Sequence, residues 1–258
     1  MKRLVFFILL INFTPLAKLS FAGAPEIPEG IWMVEKTSIN INSERTLNYQ
    51  YNDPRLNGRY ISFNKNVVRT NLPEKFECNS PGYSSSTSDL NELILTSIGN
   101  ANASDYEVES GSDKITAIKI VCKSGSFGGA DTGVNSWVAL INDHTIIINW
   151  YDDTLLTLKK TGNLSAPNPS FDCKKATAKS EIKICSDAIL SSYDQSVNKA
   201  WWLVKNSPDL KNDLRSKENM LNMQKAWLVK RNRCDDDTEC LTRNMIQRLN
   251  ELMARSNQ

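Results

Sequence analysis

Six cysteines set the tightest limit on what this chain can fold into: Cys78, Cys122, Cys173, Cys185, Cys234 and Cys240. An even number of cysteines in an exported protein reads as a disulfide framework, here three bridges. Export is indicated at the N-terminus. Lys2 and Arg3 precede an almost unbroken apolar run from Leu4 to Phe13, and Ser20-Phe21-Ala22 offers the small residues a signal peptidase reads. That pattern is a secretory signal, too short and wrongly flanked for a membrane span. Cleavage after Ala22 would leave 236 of the 258 residues. No cysteine closely follows the apolar run, which argues against a lipid anchor, and no later stretch reaches the roughly eighteen apolar residues of a spanning helix. The expected location is therefore periplasmic or secreted, with no membrane span after cleavage. Zinc is the competing use of cysteine. It is poorly supported, because no pair has CxxC spacing and the sole histidine is His144. Neither a metal nor any other cofactor is expected.

Charge divides the chain in two. Residues 23–165 carry 12 basic and 17 acidic side chains, a net charge of −5. Residues 166–258 carry 16 basic and 12 acidic, a net charge of +4. A change of sign at one point suggests two units. Residues 162–170, rich in Gly, Pro, Asn and Ser, sit at that point and read as a linker. The expected organisation is a signal over 1–22, a β-rich domain over 23–161, the linker, and a helical domain over 171–258. The fold class is α+β, with a mostly antiparallel sheet or small barrel followed by a disulfide-stapled antiparallel helical bundle.

The first half alternates at period two. Ile31–Val34 opens a short strand, Arg59–Asn64 and Ile115–Val121 alternate large apolar with polar residues, and Leu155–Leu158 adds a last strand. Trp137–Ile141 and Thr145–Trp150 flank Asn142-Asp143 as a hairpin. Asn52-Asp53-Pro54 and Asn57-Gly58 are turn signals. Several strands at this spacing suggest a barrel or curled sheet. Leu90, Leu93 and Ile94 share a face and predict one helix within 86–97. Cys78 and Cys122 most simply pair, being the two cysteines of this half.

The second half changes period. Leu190, Tyr193, Val197, Trp201 and Val204 fall three or four apart, the apolar face of a helix that Pro208 would stop. Leu214, Leu221 and Leu228, with Met220 and Trp227, continue the pattern on a second long helix. Leu241, Met245, Ile246, Leu249, Leu252 and Met253 make a third, and a short helix over about Lys179–Ile184 precedes them all. Short connections imply antiparallel neighbours. Trp201, Trp202 and Trp227 read as core or groove-edge residues. Cys185 is expected at the start of the long helix, Cys234 at the end of its partner and Cys240 at the start of the last, so that the four cysteines gather at one end. Four cysteines allow three connectivities, and this placement excludes none of them. Cys173–Cys185 and Cys234–Cys240 are favoured as the nearest pairs along the chain.

Catalytic patterns are weak. A Ser or Cys nucleophile needs a base, and His144 stands alone in a hairpin turn. The neighbouring carboxylates Asp152-Asp153 and Asp235-Asp236-Asp237 cannot readily flank a sugar from opposite sides. Gly125-Ser-Phe-Gly-Gly129 lacks the lysine and helix of a phosphate loop. Nucleic acid is not expected as a partner either, since the basic residues of the second half are spread among twelve acidic ones.

The second half resembles a known family. Phe171-Asp172-Cys173, Lys175-Ala176-Thr177, Glu181 and Ile184-Cys185 resemble the opening of the LprI-type lysozyme-inhibitor family. Leu190 and Asp194, then Gln224-Lys225-Ala226-Trp227-Leu228 and Arg231-Asn232-Arg233-Cys234, and finally Cys240-Leu241, are similar to its continuation. The likeness covers residues 171–252. Two positions depart from it: Asn232, where an acidic residue is expected, and Ala178, where a small hydroxyl residue would cap the helix. The stretch Leu47–Arg59 and Asn149–Asp152 resemble the domain that precedes this module in some secreted bacterial proteins. The family likeness implies a non-enzymatic inhibitor that occludes the cleft of lysozyme. Asp235, Asp236, Asp237 and Glu239, in a loop held between Cys234 and Cys240, are the candidate contacts to that basic partner. The alternative is an envelope adaptor or sensor binding a cell-wall fragment or a periplasmic protein through the first domain, with Trp32, Trp137 and Trp150 lining a pocket. Oligomeric state is not legible in the sequence.

Overall fold

A computed structural model describes residues 28–109, 114–128, 136–162, 166–207 and 213–256. The expected signal segment, the stop at Pro208, the middle of the linker and the last glycine of Gly125–Gly129 lie outside the described residues.

Eight antiparallel strands form a closed barrel in simple sequence order: β1 (Gly30–Ser38), β2 (Tyr60–Phe63), β3 (Val67–Thr70), β4 (Glu77–Ser88), β5 (Ile115–Gly125), β6 (Trp137–Asn142), β7 (Thr145–Asn149) and β8 (Leu155–Thr161). Closure falls to β1. Its first half pairs with β2, Trp32 opposite Ile61, and its whole length pairs with β8, from Ile31 opposite Thr161 to Ser38 opposite Leu155. A bulge between Val34 and Lys36 bends the strand so that it can serve both neighbours. Period-two alternation sends Trp32, Val34, Ile61, Phe63, Val68, Ile118, Ile120, Val138, Ile146, Ile148, Leu156 and Leu158 into one core. An eight-stranded barrel is just wide enough for such side chains to fill.

The outer face of β5–β8 is also covered. Helix α1 (Leu90–Ile98) lays Leu90 and Ile94 over Ile115, Trp137, Ala139, Ile147 and Leu155. This explains the uninterrupted apolar run of β7, every residue of which is buried: a strand covered on both faces has no polar side to show. α1 starts at Leu90, where the Asp89 carboxylate accepts from the Asn91 and Glu92 amides at 2.7 and 3.3 Å. The helix expected within 86–97 therefore starts at Leu90 and runs to Ile98, and residues 86–88 belong to β4. Strands β3 and β4 were not anticipated. β3 has four residues, and β4 is a serine-rich ribbon with little apolar signal, held by its register against β5. Gly125 ends that ribbon with φ +81°, and a Cβ there would stand 1.9 Å from the Glu77 carbonyl oxygen.

The second half is helical: α2 (Lys179–Ser186), α3 (Ala188–Lys205), α4 (Leu214–Asn232) and α5 (Thr238–Ser256). Leu190, Tyr193, Val197, Ala200 and Val204 of α3 face Leu241, Met245, Leu249 and Leu252 of α5 in a separate apolar core. α4 differs from expectation. It buries Met220, Trp227 and Arg231, while Leu214, Leu221 and Leu228 are 81%, 38% and 36% exposed. A seven-residue leucine spacing looks like a packing stripe, but α4 meets its neighbours along a narrower strip one side of it. Cys185 also moves, from the start of the long helix to the last turn of α2.

The disulfides are Cys78–Cys122, between β4 and β5, Cys173–Cys185, and Cys234–Cys240. Among the described residues no helix is long and apolar enough to cross a membrane. Three disulfides fit an oxidising compartment outside the cytoplasm.

One buried network holds the helices and the incoming chain. Asp194 of α3 accepts from the Ser170 amide (2.7 Å) and hydroxyl (2.6 Å), and meets Arg231 of α4 at 3.4 Å. Arg231 also reaches Glu181 of α2 at 3.6 Å. Both charges of the central pair are nearly inaccessible, at 4% and 6%. Asp194→Ala should cost about 3–5 kcal/mol, because it leaves buried Arg231 with Glu181 alone and takes the acceptor from the Ser170 amide. Urea denaturation should show that loss, and Asp194→Ala/Arg231→Met should recover the part that belongs to the unpaired charge, leaving the part that belongs to Ser170.

Candidate functional site

The two cores meet along α3. Gly58 and Arg59 enter β2 beside the β1 bulge: the Val34 amide donates to the Arg59 carbonyl and the Gly58 amide to the Val34 carbonyl, both at 2.8 Å. This fixes Arg59 so that its Nη2 donates to the Ser192 carbonyl (2.9 Å), Ser192 Oγ (3.0 Å) and Ser196 Oγ (2.7 Å) of α3. The guanidinium lies 3.8 Å from the centre of the Tyr193 ring. Ser192 Oγ donates to the Gly58 carbonyl at 2.7 Å, and the Tyr193 hydroxyl to the Asn71 carbonyl at 3.2 Å. Gly58 has φ +77°, and a Cβ would come within 2.9 Å of Ser192 Oγ, so the close approach also needs glycine. Arg59 is completely buried, and among the described residues its Nε and Nη1 make no hydrogen bond of good geometry. Among the described residues no carboxylate pairs with it. Burial pulls its pKa below the ordinary value, while arginine in a protein keeps its proton. Among the described residues, the seam thus holds a cation answered by hydroxyls, a carbonyl and an aromatic ring and by no carboxylate.

The long β1–β2 connection carries a second polar cluster. Tyr49 and Leu56 join the barrel core, and Glu74 accepts from the Tyr49 hydroxyl and from Trp150 Nε1, the latter at 3.0 Å. Arg55 lies over the Tyr49 ring and pairs with buried Asp53 at 2.6 Å. Asp152 and Asp153 both take positive φ and together bind Arg45. Asp152 also accepts from the Asn48 amide. These carboxylates hold a loop in place. The stretches Leu47–Arg59 and Asn149–Asp152, distant in sequence, are thus joined.

The acidic loop joins α4 to α5. Asp235, Asp236, Asp237 and Glu239 are all exposed between Cys234 and Cys240. Asp235 has φ +48° and meets Lys179 of α2 at 3.7 Å. Asp237 caps α5, accepting from the Glu239 and Cys240 amides at 2.9 and 3.0 Å. Glu239 pairs with Arg243 one turn on at 3.2 Å. Asp236 makes no ion pair or side-chain hydrogen bond among the described residues. Successive turns, from the Cys234 amide to the Arg231 carbonyl (3.0 Å) and from the Asp237 amide to the Cys234 carbonyl (3.0 Å), hold the backbone. Asn232 and the backbone at Ala178 also find partners. Asn232 Oδ1 accepts from Ser180 and from Arg231, supplying the acceptor an acid would. At Ala178 no side chain caps α2, but Glu181 accepts from the Thr177 and Ala178 amides at 3.2 and 3.4 Å.

The tryptophans separate by position. Trp32, Trp137 and Trp150 are 1%, 7% and 3% exposed and pack in the barrel's two clusters. Trp227 is buried, Trp201 half-buried and Trp202 exposed. His144 sits exposed in the β6–β7 turn, its amide donating to Asn142 Oδ1 at 3.0 Å. Every cysteine is in a disulfide. The sequence reading missed the Arg59 seam altogether. Arg59 looked like a strand residue and Tyr193 like a core residue, and the one available hint was Ser192 and Ser196 a helical turn apart. Comparison of the chain with family models, curated proteins and solved structures gives no match.

Burial, then the Glu74 hydrogen bond, raises the Tyr49 pKa above its ordinary 10.0, and burial does the same for Tyr106. A pKa raised by folding contributes stability that is fully present below the unfolded value and is lost as pH climbs past it. Spectrophotometric titration at alkaline pH should leave both tyrosines silent while the chain is folded. Stability against urea should hold up to about pH 10 and fall beyond it.

Proposed function

We propose that this chain is an exported, non-enzymatic binding protein that engages a basic partner protein through the acidic loop between Cys234 and Cys240, and that the partner is a lysozyme whose cleft it occludes. The observation that carries this reading is the presentation of that loop. Its four carboxylates are exposed on a backbone already ordered by a disulfide, by turn hydrogen bonds and by the cap on α5. Pre-organisation lowers the ordering cost of binding, and an acidic surface speeds encounter with a basic protein. Lysozyme as the partner comes from the resemblance of residues 171–252 to LprI-type inhibitors. In that reading the helical half is an antiparallel bundle, and export follows cleavage after Ala22. The absence of catalysis is supported by His144 lying alone in a surface turn and by the commitment of all six cysteines to disulfides.

The purified chain should slow lysozyme clearing of cell walls at micromolar concentration. Asp235→Asn/Asp236→Asn/Glu239→Gln, which leaves the Asp237 cap in place, should weaken inhibition at least about tenfold, equivalent to about 1.4 kcal/mol. It should do so without changing the urea midpoint by more than surface substitutions usually do. An unaltered clearing rate with the parent chain would refute lysozyme as the partner. Undiminished inhibition by the variant would refute the loop.

A further inference from the structure

We propose that the cleft between the barrel and α3 is a binding site for a small anionic amphiphile, a compact apolar body carrying one carboxylate or sulfonate. The cleft has a volume of about 330 Å³, at the small end of the range in which ligand sites fall. Its walls are mixed in the way such ligands need. Met33, Pro54, Tyr60 and Ile189 supply apolar surface, and Ser192, Ser196 and Lys199 of α3 supply polar groups. Charge decides the class. Among the described residues no acidic side chain lines the cleft, and the one charged lining residue is the exposed Lys199. Behind Ser192 and Ser196 stands Arg59, fully buried, hydrogen-bonded to both hydroxyls and without a carboxylate partner among the described residues. A buried charge is ordinarily paired, because leaving it alone in a weakly polarisable interior is costly. An anion in the cleft would lie on the far side of those two serines and supply the missing countercharge. The first turn of α3, at Ala188 and Ile189, also faces the cleft. Asp187 caps that turn and is itself balanced by Lys183 at 3.7 Å.

This inference is independent of the acidic loop, which lies elsewhere on the molecule and can fail as a docking surface without affecting it. Two fluorescent probes that share one ring system test it: 1-anilinonaphthalene-8-sulfonate, and N-phenyl-1-naphthylamine, which lacks the sulfonate. The full chain should bind the sulfonate saturably at one site and at least about tenfold more tightly than the neutral probe. Lys199→Glu, on an exposed side chain, should weaken sulfonate binding about tenfold or more and leave the neutral probe within about twofold. Ala188→Trp, which fills the cleft, should abolish sulfonate binding while the near-ultraviolet circular dichroism keeps its native form. Equal affinity for the two probes, indifference to Lys199→Glu, or no binding at all would each overturn the proposal. Binding that survives a folded Ala188→Trp would place the probe elsewhere, on the exposed Leu214, Leu221 and Leu228 of α4, and would overturn it too.

Discussion

The structure turns on β1 serving two partners at once. β1 pairs with β2 over its first half and with β8 along nearly all of its length, and the bulge after Val34 bends it between the two. That same bulge brings Gly58 and Arg59 against Val34 through two backbone hydrogen bonds. Barrel closure and the joint to the helical half are therefore one piece of geometry. Arg59 leaves β1's side pointing at Ser192, Tyr193 and Ser196, and α3 carries that contact into a core of its own.

Two buried arginines do opposite things in the two halves. Arg231 sits between Asp194 and Glu181, so its charge is matched and the pair ties three helices and residue 170 together. Arg59 has hydroxyls, a carbonyl and an aromatic ring, and no carboxylate among the described residues. A matched buried charge organises a fold, and breaking it is what costs. An unmatched one leaves a field that the surroundings must answer, and here the open space beside it is a cleft with a lysine at its mouth. The acidic loop is a different device. Its carboxylates mostly complete local structure, Asp237 as a cap and Asp235 and Glu239 in surface pairs, and they remain exposed while doing so.

Strands and helices were legible wherever burial is one-sided or complete. β7 announced itself because it is covered by the barrel core on one face and by α1 on the other. α3 and α5 announced themselves through clean three-and-four spacing. β4 did not, since its serines face solvent and its conformation is imposed by ten paired positions against β5. α4 misled in the other direction. Leu214, Leu221 and Leu228 repeat as a core stripe would, yet the helix is buried along Met220, Trp227 and Arg231, and a stripe says nothing of which side a neighbour will occupy.

By itself the sequence determined the α+β character, the change from period two to helical spacing, and the commitment of its cysteines to covalent staples. These follow from side-chain patterns and spacing that need no knowledge of the whole. It also displayed the acidic loop, because Cys234 and Cys240 lie six residues apart. Tertiary structure alone decided that the sheet closes, that α1 covers its outer face, and that Arg59 meets Ser192 and Ser196 across a separation of more than 130 residues. Contacts of that kind leave no local periodicity. They exist because barrel closure fixes where one residue points and helix packing fixes where the other waits, and neither constraint is written within the reach of a few neighbouring side chains.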